Sequence, residues 1–99
     1  MISIYVTFRD QQEADKICLH LLTKKLVACS NTFPIRSSYL WKGKIKAHPE
    51  VACLLKAKRQ NYRAIEAEIK RLHSYENPCI EAFRPAKASR QFLKWLEFA

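Results

Sequence analysis

The 99 residues predict an α+β fold: one antiparallel sheet carrying its two main helices on one face. Two observations lead there. Stretches of period-two hydrophobicity alternate along the chain with stretches of helical spacing. Their order (strand, helix, strand, extended hairpin, strand, helix, strand, helix) makes two βαβ-like halves inside a single domain spanning residues 1–99. Right-handed crossovers place both helices on the same side, which is the ferredoxin-like sandwich.

Each element has its own signal. Ile2, Ile4, Val6 and Phe8 alternate with Ser3, Tyr5 and Thr7, a strand pattern. Asp10 followed by Glu13 resembles a capping box, and Ala14, Ile17, Cys18, Leu21 and Leu22 continue at helical spacing to about Lys25. Leu26 to Phe33 reads as the next strand, interrupted by Pro34 because proline cannot donate to a ladder. Ile35 to Trp41 resumes extended structure, with Ile35, Ser37, Tyr39 and Trp41 on one side, and Lys42-Gly43 supplies a hairpin turn. Ile45 to Ala47 continues, His48-Pro49 is expected to turn, and Glu50 to Lys58 is a strand. Asn61 is placed to cap a helix carrying Tyr62, Ile65, Ile69 and Leu72. His73 to Pro78 is a compact turn and Cys79 to Arg84 a short strand closed by Pro85. Ser89 then caps a terminal helix with Phe92, Leu93, Trp95 and Leu96.

Composition excludes several function classes. Gly43 is the only glycine, so neither a Walker-type nor a Rossmann-type phosphate loop can be built. No apolar stretch approaches the ~20 residues of a membrane span. The apolar start, Met1 to Phe8, is halted by Arg9 and Asp10 and has no basic segment before it; it reads as no signal peptide, and a cytoplasmic location is expected. Lysine and arginine outnumber the acids 18 to 9, a net charge of +9 that attracts anions or serves solubility. The four cysteines, Cys18, Cys29, Cys53 and Cys79, form no CxxC, so zinc-finger and dithiol redox motifs are absent and reduced thiols are expected.

The sheet has a second face that the helices cannot cover, and it is not polar. Tyr5 lies on it, the other strands have apolar residues on both sides, and Tyr39 and Trp41 extend the hairpin. Uncovered apolar area of this kind marks an interface, so a homo-oligomer is expected, with Tyr39 and Trp41 as interface anchors.

Three motifs add a family likeness: Ala28-Cys29-Ser30-Asn31, Tyr39-Leu40-Trp41-Lys42-Gly43-Lys44-Ile45, and His73-Ser74-Tyr75-Glu76-Asn77-Pro78. With Pro34, Glu50, Lys56 and Trp95 in the matching order, nearly the whole chain resembles the CutA divalent-cation tolerance family. The resemblance implies a ferredoxin-like protomer in a homotrimer of PII-like architecture, with the hairpin exchanged between neighbours. It also implies a role in tolerance to copper and other divalent ions, with no catalysed reaction attached. Val6 stands where some members carry a cysteine thought to bind copper. Ser74 and Cys79 replace the proline and glutamate usual in the turn.

The candidate metal ligands are His73, Glu76 and Cys29, offering imidazole, carboxylate and sulfur to copper or another divalent cation. The alternative for His73 is a structural hydrogen bond at the helix end, with Tyr75 packing. Lys56 and Tyr75 are the candidates for a ligand cleft between subunits. The alternative function is a PII-like binding module for an anionic small molecule or a nucleic acid. An RNA-recognition platform is not expected, since Glu50 to Lys58 lacks the aromatics and glycine of its signature. No nucleophile–base set is spaced for hydrolysis, so the chain reads as a non-enzyme.

Overall fold

The computed structural model describes all residues from Met1 to Ala99. Strands β1 (Ile2–Phe8), β2 (Cys29–Trp41), β3 (Lys44–Ala57) and β4 (Ile80–Phe83) form one antiparallel sheet in the order β2-β3-β1-β4. Helices α1 (Gln11–Thr23) and α2 (Tyr62–Leu72) are the crossovers, a 3₁₀ turn (Arg59–Asn61) leads into α2, and α3 (Arg90–Phe98) ends the chain. This is the expected ferredoxin-like arrangement.

The core follows from the period of β1. Ile2, Ile4, Val6 and Phe8 are buried, and their partners Ala57, Leu55, Cys53 and Val51 on β3 share their face. Ala14, Ile17, Cys18 and Leu21 of α1, with Ile65 and Ile69 of α2, close over them. Each large apolar side chain removed from water there contributes about 1.5–3 kcal/mol.

Local chemistry sets the helix ends. Asp10 is extended and its carboxylate accepts from the Glu13 amide at 2.8 Å, while Glu13 Oε1 accepts from the Arg9 amide at 3.1 Å. The reciprocal bond therefore reaches one residue further back than in a standard capping box. Helix α1 ends on a Schellman motif. Leu26 N–H donates to Leu21 O and Lys25 N–H to Leu22 O, with Lys25 at φ 58°, a conformation usually left to glycine. Ser89 caps α3 as expected, accepting from the Phe92 amide at 3.1 Å. Asn61 does not cap α2 with its side chain; its Nδ2 donates instead to Leu26 O, tying α2 to the end of α1.

Both prolines expected to break strands lie within them. Pro34 pairs with Val51, and Pro49 pairs with Arg36. β2 is an edge strand, so a missing donor at Pro34 can face outward. β1 reaches only to Val51, leaving Pro49 beyond its end with β2 as the only neighbour of β3. The predicted His48-Pro49 turn is thus part of a continuous strand. The second strand starts at Cys29 rather than Leu26, and the last covers Ile80–Phe83.

Past the Ile35–Glu50 pair, β2 and β3 continue alone as a two-stranded ribbon closed by Lys42 and Gly43, both at positive φ (50° and 77°). The molecule measures 45 × 26 × 21 Å. On the ribbon Leu40 is 75% and Ile45 79% exposed, and Trp41 is half exposed.

Candidate functional site

The alternation that buries one face of the sheet leaves Ser3, Tyr5, Thr7, Cys29, Asn31, Phe33, Leu54, Lys56, Glu81 and Phe83 on the other. Helices α1 and α2 lie over the buried face, and the turn after α2 bends around the end of β1, where His73 meets Thr7 and Tyr75 meets Glu50. Tyr75 in this turn donates its hydroxyl to Glu50 Oε2, a carboxylate buried on β3 just beyond the end of β1. His48 Nε2 lies 3.8 Å from the same oxygen, and His48 Nδ1 lies 3.4 Å from the Tyr39 hydroxyl. A polar chain, Tyr39–His48–Glu50–Tyr75, therefore runs from the ribbon to the body of the sheet. Burial and the bond to Glu50 push the Tyr75 hydroxyl well above its usual range, so it remains a donor.

His73 anchors the turn from beneath. Its ring stacks on Phe8 at 5.1 Å between centroids. Nε2 lies 2.8 Å from the Thr7 carbonyl oxygen, which can only accept, so Nε2 carries the proton; Nδ1 accepts from the Tyr75 amide at 3.0 Å. His73 is a neutral imidazole with both nitrogens engaged. Glu13 completes the arrangement, its Oε2 accepting from the Ser74 amide at 2.8 Å.

The three expected metal ligands do not meet within one chain. His73 is buried and hydrogen-bonded at both nitrogens, Glu76 is exposed, and Cys29 sits half-buried across the sheet, paired with Lys56. Burial raises the Cys29 thiol above its usual range despite the nearby Lys56 ammonium, keeping it protonated. No group of three or more His, Cys, Asp or Glu side chains is arranged to hold a metal ion. Lys56 reaches across to Ser3, its Nζ donating to Oγ at 2.9 Å, and is half-buried. Lys56 and Tyr75 both belong to the uncovered side, at opposite ends of β1. Tyr39 and Trp41 lie on the ribbon, about half exposed.

Two residues that matter here escaped the sequence. Glu50 read as the start of a strand; its burial depends on Tyr75, 25 positions away. Glu13 read as a local cap; its second oxygen serves a turn 61 positions away. Neither partnership leaves a periodic trace.

Comparison with known proteins bears on this geometry. The model of the CutA1 divalent ion tolerance protein family matches residues 2–98. The chain belongs to the CutA1 family. The divalent-cation tolerance protein CutA of Archaeoglobus fulgidus is 40% identical over 94 residues, covering 95% of this chain and 92% of that protein. That of Thermotoga maritima is 36% identical over 96 residues, covering 97% and 95%. Among solved structures, CutA1 from Pyrococcus horikoshii superposes with a TM-score of 0.95 at 35% identity, covering 99% of this chain and 96% of that one. The Archaeoglobus fulgidus structure superposes at 0.96 with 39% identity, covering 99% and 97%.

One expectation is overturned. The Archaeoglobus fulgidus CutA is described as a periplasmic protein, so the cytoplasmic location inferred from the N-terminal residues does not stand. An apolar first strand ended by Arg9 and Asp10 is what a buried β1 needs, so its composition says nothing about location. No helix is long and apolar enough to cross a membrane. Val6 is fully buried against Cys53 on the helix side of the sheet.

Proposed function

We propose that this CutA1-family chain serves divalent-cation tolerance without catalysing a reaction, as a homotrimer whose subunits cover one another's open sheet faces and ribbons. The observation supporting this reading is the ribbon itself. A two-stranded hairpin is marginal alone in water, yet this one carries Tyr39, Leu40, Trp41 and Ile45 into solvent. Copper or another divalent cation is the ligand class of this reading. A single chain gathers no three-donor set, so the cation site is built from donors of more than one subunit. Glu76 and Cys29 are the uncommitted contributors, and His73 joins only by releasing the Tyr75 amide.

Sedimentation of the purified protein with and without copper(II) tests both parts. The expected result is a species of three chain masses at low micromolar concentration, with copper bound in a fixed ratio to the trimer. A stable monomer ends the reading. Unchanged copper affinity in His73→Ala removes His73 from the site while leaving assembly standing.

The second reading, a module for an anionic ligand, is favoured by Lys56, half-buried on the open face, whose ammonium has Ser3 as its one hydrogen-bond partner. Its mark is binding of a phosphate-bearing small molecule or an RNA that weakens steeply with salt. Salt-insensitive or absent binding dismisses it.

A further inference from the structure

The core holds a chemical group that the tolerance role does not use. Cys18 lies on the apolar stripe of α1 and Cys53 on the central stretch of β3, and their sulfurs are 3.4 Å apart. Among the four cysteines no other two sulfurs are in contact; Cys29 and Cys79 are free and lie elsewhere. Cys53 is fully enclosed, while Cys18 retains a few per cent of exposure. Both belong to the apolar core that includes Ile4, Val6 and Ile17, with Ser30 beside Cys18. A disulfide suits such a place because it is neutral and takes no hydrogen-bond donor into the core. The sulfurs must close from 3.4 Å to about 2.05 Å, a shift within reach of side-chain rotation and a small movement of α1.

We infer that Cys18 and Cys53 form a hydroperoxide-oxidised disulfide site that staples α1 to β3. The two thiols differ in role. Hydrogen bonds from Cys53 and Ser30 draw the Cys18 thiol below its usual range against the effect of burial. The bond to Cys18 and burial hold the Cys53 thiol protonated. Cys18, which alone of the two keeps some exposure to solvent, is the first nucleophile, and the fully enclosed Cys53 is the resolving thiol. The Cys18 thiolate attacks one peroxide oxygen; the O–O bond breaks, and the departing hydroxide takes a proton to become water. Cys18 is then a sulfenic acid. Cys53 sulfur attacks Cys18 sulfur, the S–O bond breaks, and the released hydroxide leaves as water with the Cys53 proton. Two thiols and one peroxide give one disulfide and two waters. Hydrogen peroxide is hardly larger than water, so a small opening at Cys18 admits it.

The bridge would join residues 35 positions apart, removing loop freedom from the unfolded chain. The test uses the full chain carrying Cys29→Ser and Cys79→Ser, which leaves the core untouched and removes the two thiols outside the pair. After hydrogen peroxide treatment and alkylation in denaturant, its titratable thiols should fall from two to none. The intact mass should drop by two hydrogens, and peptide mapping should find Cys18 linked to Cys53. Dithiothreitol should reverse all three. The oxidised form should also melt several degrees above the reduced one. Two thiols surviving peroxide, or oxidation ending in sulfinic acid with no linked peptide, would overturn the inference. Because Cys53→Ala leaves Cys18 unresolved, the inference further requires that this single substitution, made in the chain that keeps Cys29 and Cys79, trap a sulfenic acid at Cys18; a trap only at Cys79 contradicts it.

Discussion

At the scale of single residues, Glu13 does more than its place in the sequence announces. Burial alone would raise its carboxyl, yet the hydrogen bonds from Ser74 and the Arg9 amide hold it below the usual carboxylate range. One carboxylate thus fastens the start of α1 to the turn that presents Tyr75 to Glu50. Because the folded value is lowered, this stabilisation is fully present above the unfolded carboxylate range and is lost as pH falls through the lowered folded value. Glu13→Gln keeps the shape, loses the charge and can accept at only one atom. It should cost about 1.5–3 kcal/mol at pH 7, the scale of hydrogen bonds to a charged acceptor. The gap between the urea midpoints of the two proteins should narrow as pH falls from 7 to 3; an equal gap at pH 7 and pH 3 would remove the charge from the account. The residue scale is also where the sequence was least informative about the site. It offered His73 as a ligand from the chemistry of imidazole, but the proton on Nε2 is set by the Thr7 carbonyl, 66 positions distant. Chemistry-bearing residues are visible in a sequence, whereas what their lone pairs already hold is not.

Elements were far more legible, because each rests on local rules. The period of β1, the Asp10 and Ser89 caps and the spacing of Ile65 and Ile69 all reappear where expected. The failures at Pro34 and Pro49 share one cause: a proline's effect depends on which side of the strand is unpaired, and that is decided by sheet order. The end of α1 shows a local rule broken in the structure itself. Lys25 occupies the left-handed C′ position of a Schellman motif, with φ 58°, where a side chain costs roughly 1 kcal/mol or more relative to glycine. Lys25→Gly should therefore stabilise the fold by about 0.5–1 kcal/mol after the added freedom of the unfolded chain is subtracted. The reverse case lies at the ribbon turn, where Gly43 has open space around it but φ 77°. Gly43→Ala should lose about 1 kcal/mol through backbone strain alone. Denaturant midpoints at unchanged slope would read both; a loss at Lys25→Gly would mean that its side chain, rather than its backbone, matters there.

For the whole molecule, the shape argues against the isolated chain as the working form. A domain of this length has a radius of gyration near 13 Å, whereas this chain reaches 14.2 Å because the ribbon extends from one end. Only 20 of its 99 residues are buried, and the large apolar side chains left in solvent concentrate on the ribbon and on α3, where Leu93, Trp95 and Phe98 are exposed. The exposed apolar ribbon was foreseeable from Tyr39, Trp41 and the length of the hairpin. The continuity of β2 and β3 through both prolines, which gives the ribbon its reach, was not. Under the trimeric reading, Trp41 is the side chain whose loss should matter most, since buried aromatics dominate the energetics of such contacts. Trp41→Ala should raise the dissociation constant of the assembly at least tenfold in sedimentation equilibrium. Far-UV circular dichroism should remain near that of the parent, because Trp41 supports no part of the core. Leu19, 65% exposed on the outer side of α1, is the matched control: Leu19→Ala removes a comparably solvated apolar side chain far from the ribbon and should leave assembly unchanged. Equal effects from the two substitutions would locate the association away from the ribbon, and a Trp41→Ala protein still fully trimeric at low micromolar concentration would show that the ribbon is not what the subunits hold.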